Sequence, residues 1–258
     1  MQDADTAFIG SDQLDIRRLQ VVQPRKGAVE ANKIVGFNSR DKRSRPFNLM
    51  RTQLAKQFIE EKVRLVGITS ATPAAGKSFL SANLAASLSR ILQVSTFLVD
   101  LDLRRGCVAK ELGIDFQSGI SDYLLGDQQN LREVGLSIEG TSLAVFPTRA
   151  VSMDSAQAIA GGTYDSLVRT MRDETAGAVI IFDLPPVFAN DDAVLSTRLL
   201  DGYIMVVDSG KTTRRQLTDA MEMLAPVPCL GTVLNRYAGG ILDSYGYGSA
   251  NYDRYYSE

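Results

Sequence analysis

The sequence predicts an α/β fold, a mostly parallel sheet with helices on both faces. Three observations predict it. Short runs of apolar, β-branched residues recur along the chain. Segments with apolar residues three or four apart lie between them. The runs themselves are apolar at nearly every position, so the strands they form are buried on both faces, as in sheets built by helical crossovers. Those crossovers are expected to be right-handed.

Taken in order, Pro46 fits the first turn of a helix, with Ser44 or Arg45 near its cap. Phe47, Met50, Leu54 and Phe58 follow at helical spacing. VRLVGIT, from Val63, reads as a short strand, and residues 78–92 as a helix striped by Leu80, Leu84, Leu88 and Leu92. STFLVD (95–100) is a second buried strand. Helical patches are expected around 109–112 and 119–125, a strand at 143–146 and a helix at 164–172. AVIIFD (178–183), GYIMVVD (202–208) and CLGTVLN (229–235) are the remaining core strands, with a helix at 213–224 between the last two. No internal repeat is visible.

The 258 residues suit one sizeable domain with tails. A net charge of −2 gives no electrostatic call for nucleic acid. No run approaches the roughly 18 apolar residues of a membrane span. The acidic N-terminus, MQDADTAFIGSDQ, has no apolar core and does not read as a signal peptide. Cys107 and Cys229 stand far apart and read as reduced packing thiols of a cytosolic protein. Histidine is absent altogether, which removes the commonest general base and a common metal ligand. Chemistry here must run on carboxylates, lysine, hydroxyls and a bound ion.

Residues 1–45 form the first expected region. Ten Lys or Arg lie between Ile16 and Arg51, against Glu30 and Asp41. The composition suggests a basic, partly disordered leader. Its functional counterpart would be a docking arm for an acidic partner or an anionic membrane surface. A domain over 46–236 and a tail over 237–258 complete the division.

Ala71-Thr-Pro-Ala-Ala-Gly-Lys-Ser78 follows a strand and opens a helix, the context that a Walker A phosphate loop requires. Backbone N–H groups and the helix N-terminus present positive potential to phosphate oxygens. Thr72, Pro73, Ala74, Ala75, Gly76, Lys77, Ser78 and Phe79 are therefore the expected ATP-binding residues. Gly76 permits close approach. Lys77 is expected to reach the β- and γ-phosphates, and Ser78 to ligate Mg²⁺. A bare G-K-S is a weak signal; strand, loop and helix together make it strong. The glycine that opens the full pattern is replaced by Ala71.

Two further strands end in acids. Asp100 and Asp102 close one and Asp183 another, at carboxyl ends where open α/β sheets place ligands. Residues i and i+2 share a side of a strand, so Asp100 and Asp102 can face one nucleotide. Asp183 has the place of a Walker B acid and would hold Mg²⁺ directly or through water.

These motifs resemble the bacterial tyrosine kinases, or BY-kinases, of capsule and exopolysaccharide biosynthesis, within the MinD/ParA-like P-loop ATPases. The resemblance covers roughly Ser44 to the C-terminus. Thr72–Ser78 match the family's Walker A. Asp100, Asp102 and Arg104 match its D-x-D-x-R, and Ile180–Asp183, followed by Leu184-Pro-Pro-Val187, match its Walker B. Asp191-Asp192, Gly210–Thr213 and Gly231–Asn235 are also family-like. The resemblance implies a P-loop NTPase fold and a tyrosine autokinase. It places Arg104 and Asn235 in nucleotide binding, Asn235 near the adenine. It makes Lys77, Asp100, Asp102 and Asp183 catalytic, and Ser78, Asp100 and Asp183 metal ligands. Either Asp100 or Asp102 would be the base, mainly orienting the tyrosine hydroxyl while its proton leaves late. Six of the nine tyrosines follow position 236, among Gly, Ser, Asn and Asp. The family phosphorylates such clusters in trans, which points to Tyr245, Tyr247, Tyr252, Tyr255 and Tyr256 as acceptors, and to a homo-oligomer. Phosphates gathered there would repel one another and loosen that oligomer. A membrane-anchored polysaccharide co-polymerase, acting as activator through its cytoplasmic segment, is the implied partner. It would hold a cytoplasmic kinase at the inner face of the cell membrane.

Departures from the family sharpen these expectations. Thr72 stands where MinD- and ParA-type loops carry a signature lysine, which favours the kinase branch over an ATPase switch. The loop reads Pro73-Ala-Ala-Gly-Lys77 in place of the usual P-G-E-G-K. The E-x-x-R-x-x-R ring motif falls on Arg45, Asn48 and Arg51, where only Arg51 remains. The alternatives are a MinD/ParA-like ATPase switch, or a nucleotide-bound non-catalytic subunit of the export complex.

Overall fold

The computed structural model describes residues 14–90, 95–151, 155–175 and 177–237. Its elements are β1 (Gln20–Val22), α1 (Lys26–Ala31), α2 (Arg45–Glu60), β2 (Leu65–Ser70), α3 (Lys77–Leu88), β3 (Thr96–Asp100), α4 (Val108–Leu112), α5 (Ile120–Leu124), α6 (Leu131–Val134), β4 (Leu136–Ile138), β5 (Leu143–Phe146), α7 (Ser155–Ala160), α8 (Gly162–Glu174), β6 (Val179–Asp183), α9 (Asp192–Thr197), β7 (Gly202–Asp208), α10 (Arg214–Met223) and β8 (Cys229–Asn235).

The strands form one sheet in the order β1-β4-β5-β3-β6-β2-β7-β8. From β5 to β8 neighbours run parallel; β4 is antiparallel to β5, and β1 follows β4. β2, β3, β5 and β6 are buried at every position, as their unbroken apolar runs predict. The pleat divides their side chains between two cores. Val66, Ile68, Leu98, Val145 and Ile181 join one, with residues of α2 and α3. Leu65, Phe97, Val99, Phe146, Ile180 and Phe182 join the other, with residues of α8. At roughly 25 cal/mol per Å² of apolar surface, this double burial is the main force holding the sheet.

Local signals fix the helices. Pro46 lies in the first turn of α2. α10 starts on a capping box: Gln216 N donates to Thr213 Oγ1 at 3.2 Å, and Thr213 N to Gln216 Oε1 at 2.9 Å. α3 ends at Leu88, earlier than its leucine stripe suggests; Leu92 lies outside the described residues. Nearly all of α3 is buried, so its small residues Ser81, Ala82, Ala85 and Ala86 matter as much as its leucines.

The leader differs from its composition. Residues 14–45 include β1 and α1, and Leu14, Leu19, Ile34 and Val35 are buried. The apolar residues are few and carry no period, yet Ile34 and Val35 join the core beside α3, Leu14 and Leu19 join the other, and β1 pairs with β4. Asn83 Oδ1 on α3 accepts from Val35 N (2.8 Å) and Gly36 N (3.0 Å). Gly36 lies so close to α3 that a Cβ would stand 2.1 Å from the Asn83 carbonyl. Packing therefore crosses the expected boundary at residue 45. The two arginine-motif positions on α2 also turn inward. Asn48 Oδ1 accepts from Ser87 Oγ (3.2 Å) and Arg90 Nη1 (3.0 Å), and Arg51 Nη1 reaches Ser87 O at 3.5 Å. Among the described residues, no helix is long and apolar enough to cross a membrane.

Candidate active site

The carboxyl ends of β2, β3, β6 and β7 meet on one edge of the sheet, and the loop 71–76 lies over them. Two backbone bonds seat this loop, from Val187 N to Ser70 O (2.8 Å) and from Phe188 N to Ala71 O (3.1 Å). Ser70 Oγ donates to Thr72 O at 2.7 Å. α3 then begins at Lys77 with no side chain capping its N-terminus. Its first N–H groups therefore remain available to an anion. Gly76 has a φ of 94°, and a Cβ there would meet Asn235 Nδ2 at 2.1 Å. Ala74 also takes a positive φ, 61°, at a cost of about 1–2 kcal/mol for a residue with a Cβ. Ala75 is buried, Thr72 half-buried and Pro73 exposed.

Below the loop, Asp100 and Asp183 end adjacent strands in direct register. Both are fully buried, while Asp102 and Lys77 are 5% and 7% exposed. Asp100 is braced at both oxygens: Oδ1 accepts from Asp102 N (3.2 Å) and Oδ2 from Val108 N (3.0 Å). Asp183 Oδ1 accepts from Ser81 Oγ at 2.9 Å, but its Oδ2 has no partner. Burial pushes the Asp183 carboxyl up to about 6, although Lys77 and the hydroxyls of Ser78 and Ser81 draw it back. Burial, then repulsion from Asp183, raises Asp100 well above the usual carboxylate range. Asp102 is raised by burial against the pull of Lys77 and Arg105.

Asp102 and Asp183 beside Lys77, with Asp100 next to Asp183, under an open helix N-terminus suit a ligand that combines phosphate with a divalent cation. The buried, unpartnered Asp183 Oδ2 fits that cation. Among the described residues, no three acids, cysteines or histidines converge enough to hold a metal alone. Magnesium does not require that, since it keeps waters and substrate phosphates alongside one or two carboxylates. Ser78 and Asp183 would be its protein ligands; Asp100, the third expected ligand, has both oxygens engaged by backbone N–H groups.

Other expected residues lie at the margin. Arg104 Nε donates to Ser155 Oγ (3.0 Å), whose hydroxyl donates to buried Asp192 Oδ2 (2.6 Å). Arg104 is thus tied to α7 and α9. The Phe79 ring packs edge-on to Phe47, with centroids 5.9 Å apart, which leaves its backbone for a ligand. Asn235 Nδ2 donates to the Ala75 carbonyl at 2.8 Å, so this side chain rests on the loop itself. Tyr245, Tyr247, Tyr252, Tyr255 and Tyr256 lie outside the described residues. Ser81 was not foreseen, although its place one turn beyond Lys77 on a helix puts both on one face. The Ser155–Asp192 contact joins residues far apart in the chain and left no local signal.

The chain is 27% identical over 227 residues to the tyrosine-protein kinase YwqD of Bacillus subtilis, covering 86% of this chain and 93% of that one. It is 28% identical over 200 residues to the tyrosine-protein kinase etk of Escherichia coli, 77% of this chain but 27% of that longer protein. The kinase domain of Escherichia coli tyrosine kinase ETK superposes with a TM-score of 0.70 at 25% identity, over 80% of this chain and 82% of the domain. The chimerical protein CapA2B2 gives a TM-score of 0.72 at 25% identity, over 85% of this chain and 93% of that one. No protein-family model matches the chain.

Proposed function

We propose that this chain, a relative of the bacterial tyrosine-protein kinases in both sequence and fold, is an ATP- and Mg²⁺-dependent protein-tyrosine autokinase of exopolysaccharide or capsule biosynthesis. The observation that carries the reading is the buried set Lys77, Asp102 and Asp183 beneath the phosphate loop. In the reaction, the bond from the γ-phosphorus to the β,γ-bridging oxygen breaks and a bond to the tyrosine oxygen forms. The products are ADP and phosphotyrosine, and the tyrosine proton passes to a carboxylate and then to solvent. Positioning and charge neutralisation supply most of the catalysis in such transfers. Lys77 and the α3 N-terminus hold the phosphates. Magnesium, when bound, would neutralise charge on the β- and γ-oxygens. Asp102 orients the acceptor hydroxyl, because both Asp100 oxygens already accept backbone hydrogen bonds. Its raised pKa narrows the gap to a tyrosine near 10, which favours proton transfer late in the step.

The tail tyrosines Tyr245, Tyr247, Tyr252, Tyr255 and Tyr256 are the proposed acceptors, phosphorylated between copies of the chain. A membrane-associated activator would engage the kinase through its cytoplasmic segment and hold it at the inner face of the membrane. Intact-mass spectrometry with MgATP tests the reading. Whole phosphoryl additions on the full chain, absent from Lys77→Met and from a chain ending at Tyr237, are expected. An unmodified full chain, even with an activator's cytoplasmic segment added, would leave an ATPase switch or a nucleotide-bound scaffold.

A further inference from the structure

Arg236, the residue after β8, reaches back over the phosphate loop. Its Nη1 donates to the Ala74 carbonyl at 2.8 Å and to Asp208 Oδ2 at 2.7 Å. Asp208 closes β7 and is 4% exposed. Its other oxygen is buried without a partner, and Lys211 Nζ stands 3.5 Å from Oδ2. Arg236 takes a φ of 59°, so both residues joined by the Arg236–Ala74 bond occupy the left-handed region. Beside it, Asn235 Nδ2 donates to the Ala75 carbonyl, and Asn235 Oδ1 accepts from Arg236 N at 2.9 Å. Two successive loop carbonyls are therefore held by two successive side chains from the end of one strand.

The consequence follows from peptide geometry. In a trans peptide the C=O and the next N–H point in opposite directions. Drawing the Ala74 and Ala75 carbonyls toward Arg236 and Asn235 turns the N–H groups of Ala75 and Gly76 the other way. Successive N–H groups facing one side make an anion cradle. We propose that Arg236, anchored by Asp208, is a positioning residue of the nucleotide site: it holds the loop in its phosphate-binding conformation before nucleotide arrives. This rests on the reading of the loop as an ATP site. Without the clasp, Ala74 is free to leave its strained conformation, and the competent fraction of loops falls. Apparent affinity falls with that fraction.

The test compares the full chain with Arg236→Ala and Arg236→Lys. It uses calorimetric titration with MgADP, thermal melting without nucleotide, and autophosphorylation kinetics. Arg236→Ala is expected to raise the Kd about fivefold, as when the competent fraction drops to about a fifth. KM for ATP should rise in step, with kcat held; the nucleotide-free melting temperature should fall, since buried Asp208 is left with only Lys211, 3.5 Å away. Arg236→Lys should recover part of the affinity, since one ammonium can reach a carbonyl or a carboxylate without the fixed fork of a guanidinium. An unchanged Kd in Arg236→Ala overturns the clasp, and a lowered melting temperature beside it would make Arg236 a purely structural anchor. If the wild-type chain binds no MgADP, the nucleotide reading falls and the clasp with it. If it binds MgADP, loses affinity on Arg236→Ala, and phosphorylates nothing, the clasp stands and the kinase reading alone fails.

Discussion

At Asp183, burial and the charge of Lys77 pull the carboxyl in opposite directions, and burial wins. Its folded pKa of about 6 lies above the ordinary 3.8, so between these values the native state binds more protons than the unfolded chain. Stability of the nucleotide-free protein therefore falls as pH rises through that window and stays lower above it. Asp183→Asn removes the charge yet keeps an acceptor for Ser81. At pH 7 it should gain on the order of 2 kcal/mol, and the gain should vanish by about pH 4. Paired thermal melts across that range check the sign, while tyrosine labelling should drop by roughly a hundredfold. Gly76→Ala should lose on two counts, a left-handed backbone and the displaced Asn235 amide. Together they cost roughly 2–3 kcal/mol, readable as a lower urea midpoint. The need for glycine at 76 was legible in the loop motif. The amide that crowds it was not, because Asn235 comes from a distant strand, 160 residues beyond Ala75.

Elements differ in how openly the sequence declares them. The five expected core strands and the helices after residues 77, 162 and 213 announced themselves by long periodic or unbroken apolar runs. β1 and β4 have three residues each, and α6, α7 and α9 four to six, too few for a period to emerge. Residues 14–45 misled through charge, since their cohesion comes from scattered contacts: four buried apolar side chains, the β1–β4 pairing and the Asn83 amide. Asn83→Ala strips the acceptor from two buried backbone N–H groups, at about 1–3 kcal/mol each where water cannot replace it. Hydrogen exchange should then quicken at Val35 and Gly36 while the β2 and β6 amides stay protected. Equal protection in both proteins would mean that other contacts hold the segment.

For the whole molecule, strand order is what assembles the site. β3 pairs with β6, not with β2, and this sets Asp100 beside Asp183 across a single rung. The sequence told that the acids end strands near a phosphate loop; it did not tell which strands are neighbours, since pairing is chosen by the tertiary core. Because the loop, α3 and three strand ends form one surface, nucleotide should stabilise the entire fold. MgADP at a hundred times its Kd should add about 2.7 kcal/mol, seen as a raised melting temperature, and Lys77→Met should abolish the rise. A stabilisation that survives Lys77→Met would place the nucleotide elsewhere.

The half-satisfied carboxyl of Asp183 also gives the protein a measurable proton ledger. Near pH 6 a cation binding there must expel whatever proton the group carries. The chain has no imidazole to titrate in the same range, and the other carboxyls raised beside it, Asp100 and Asp102, belong to the same site. Heat signals for MgADP, recorded at pH 6 in buffers of different ionisation enthalpy, should therefore diverge, and the divergence should shrink by pH 8 and in Asp183→Asn. Loading of the site would be read from the buffer, with no label on the protein or the nucleotide.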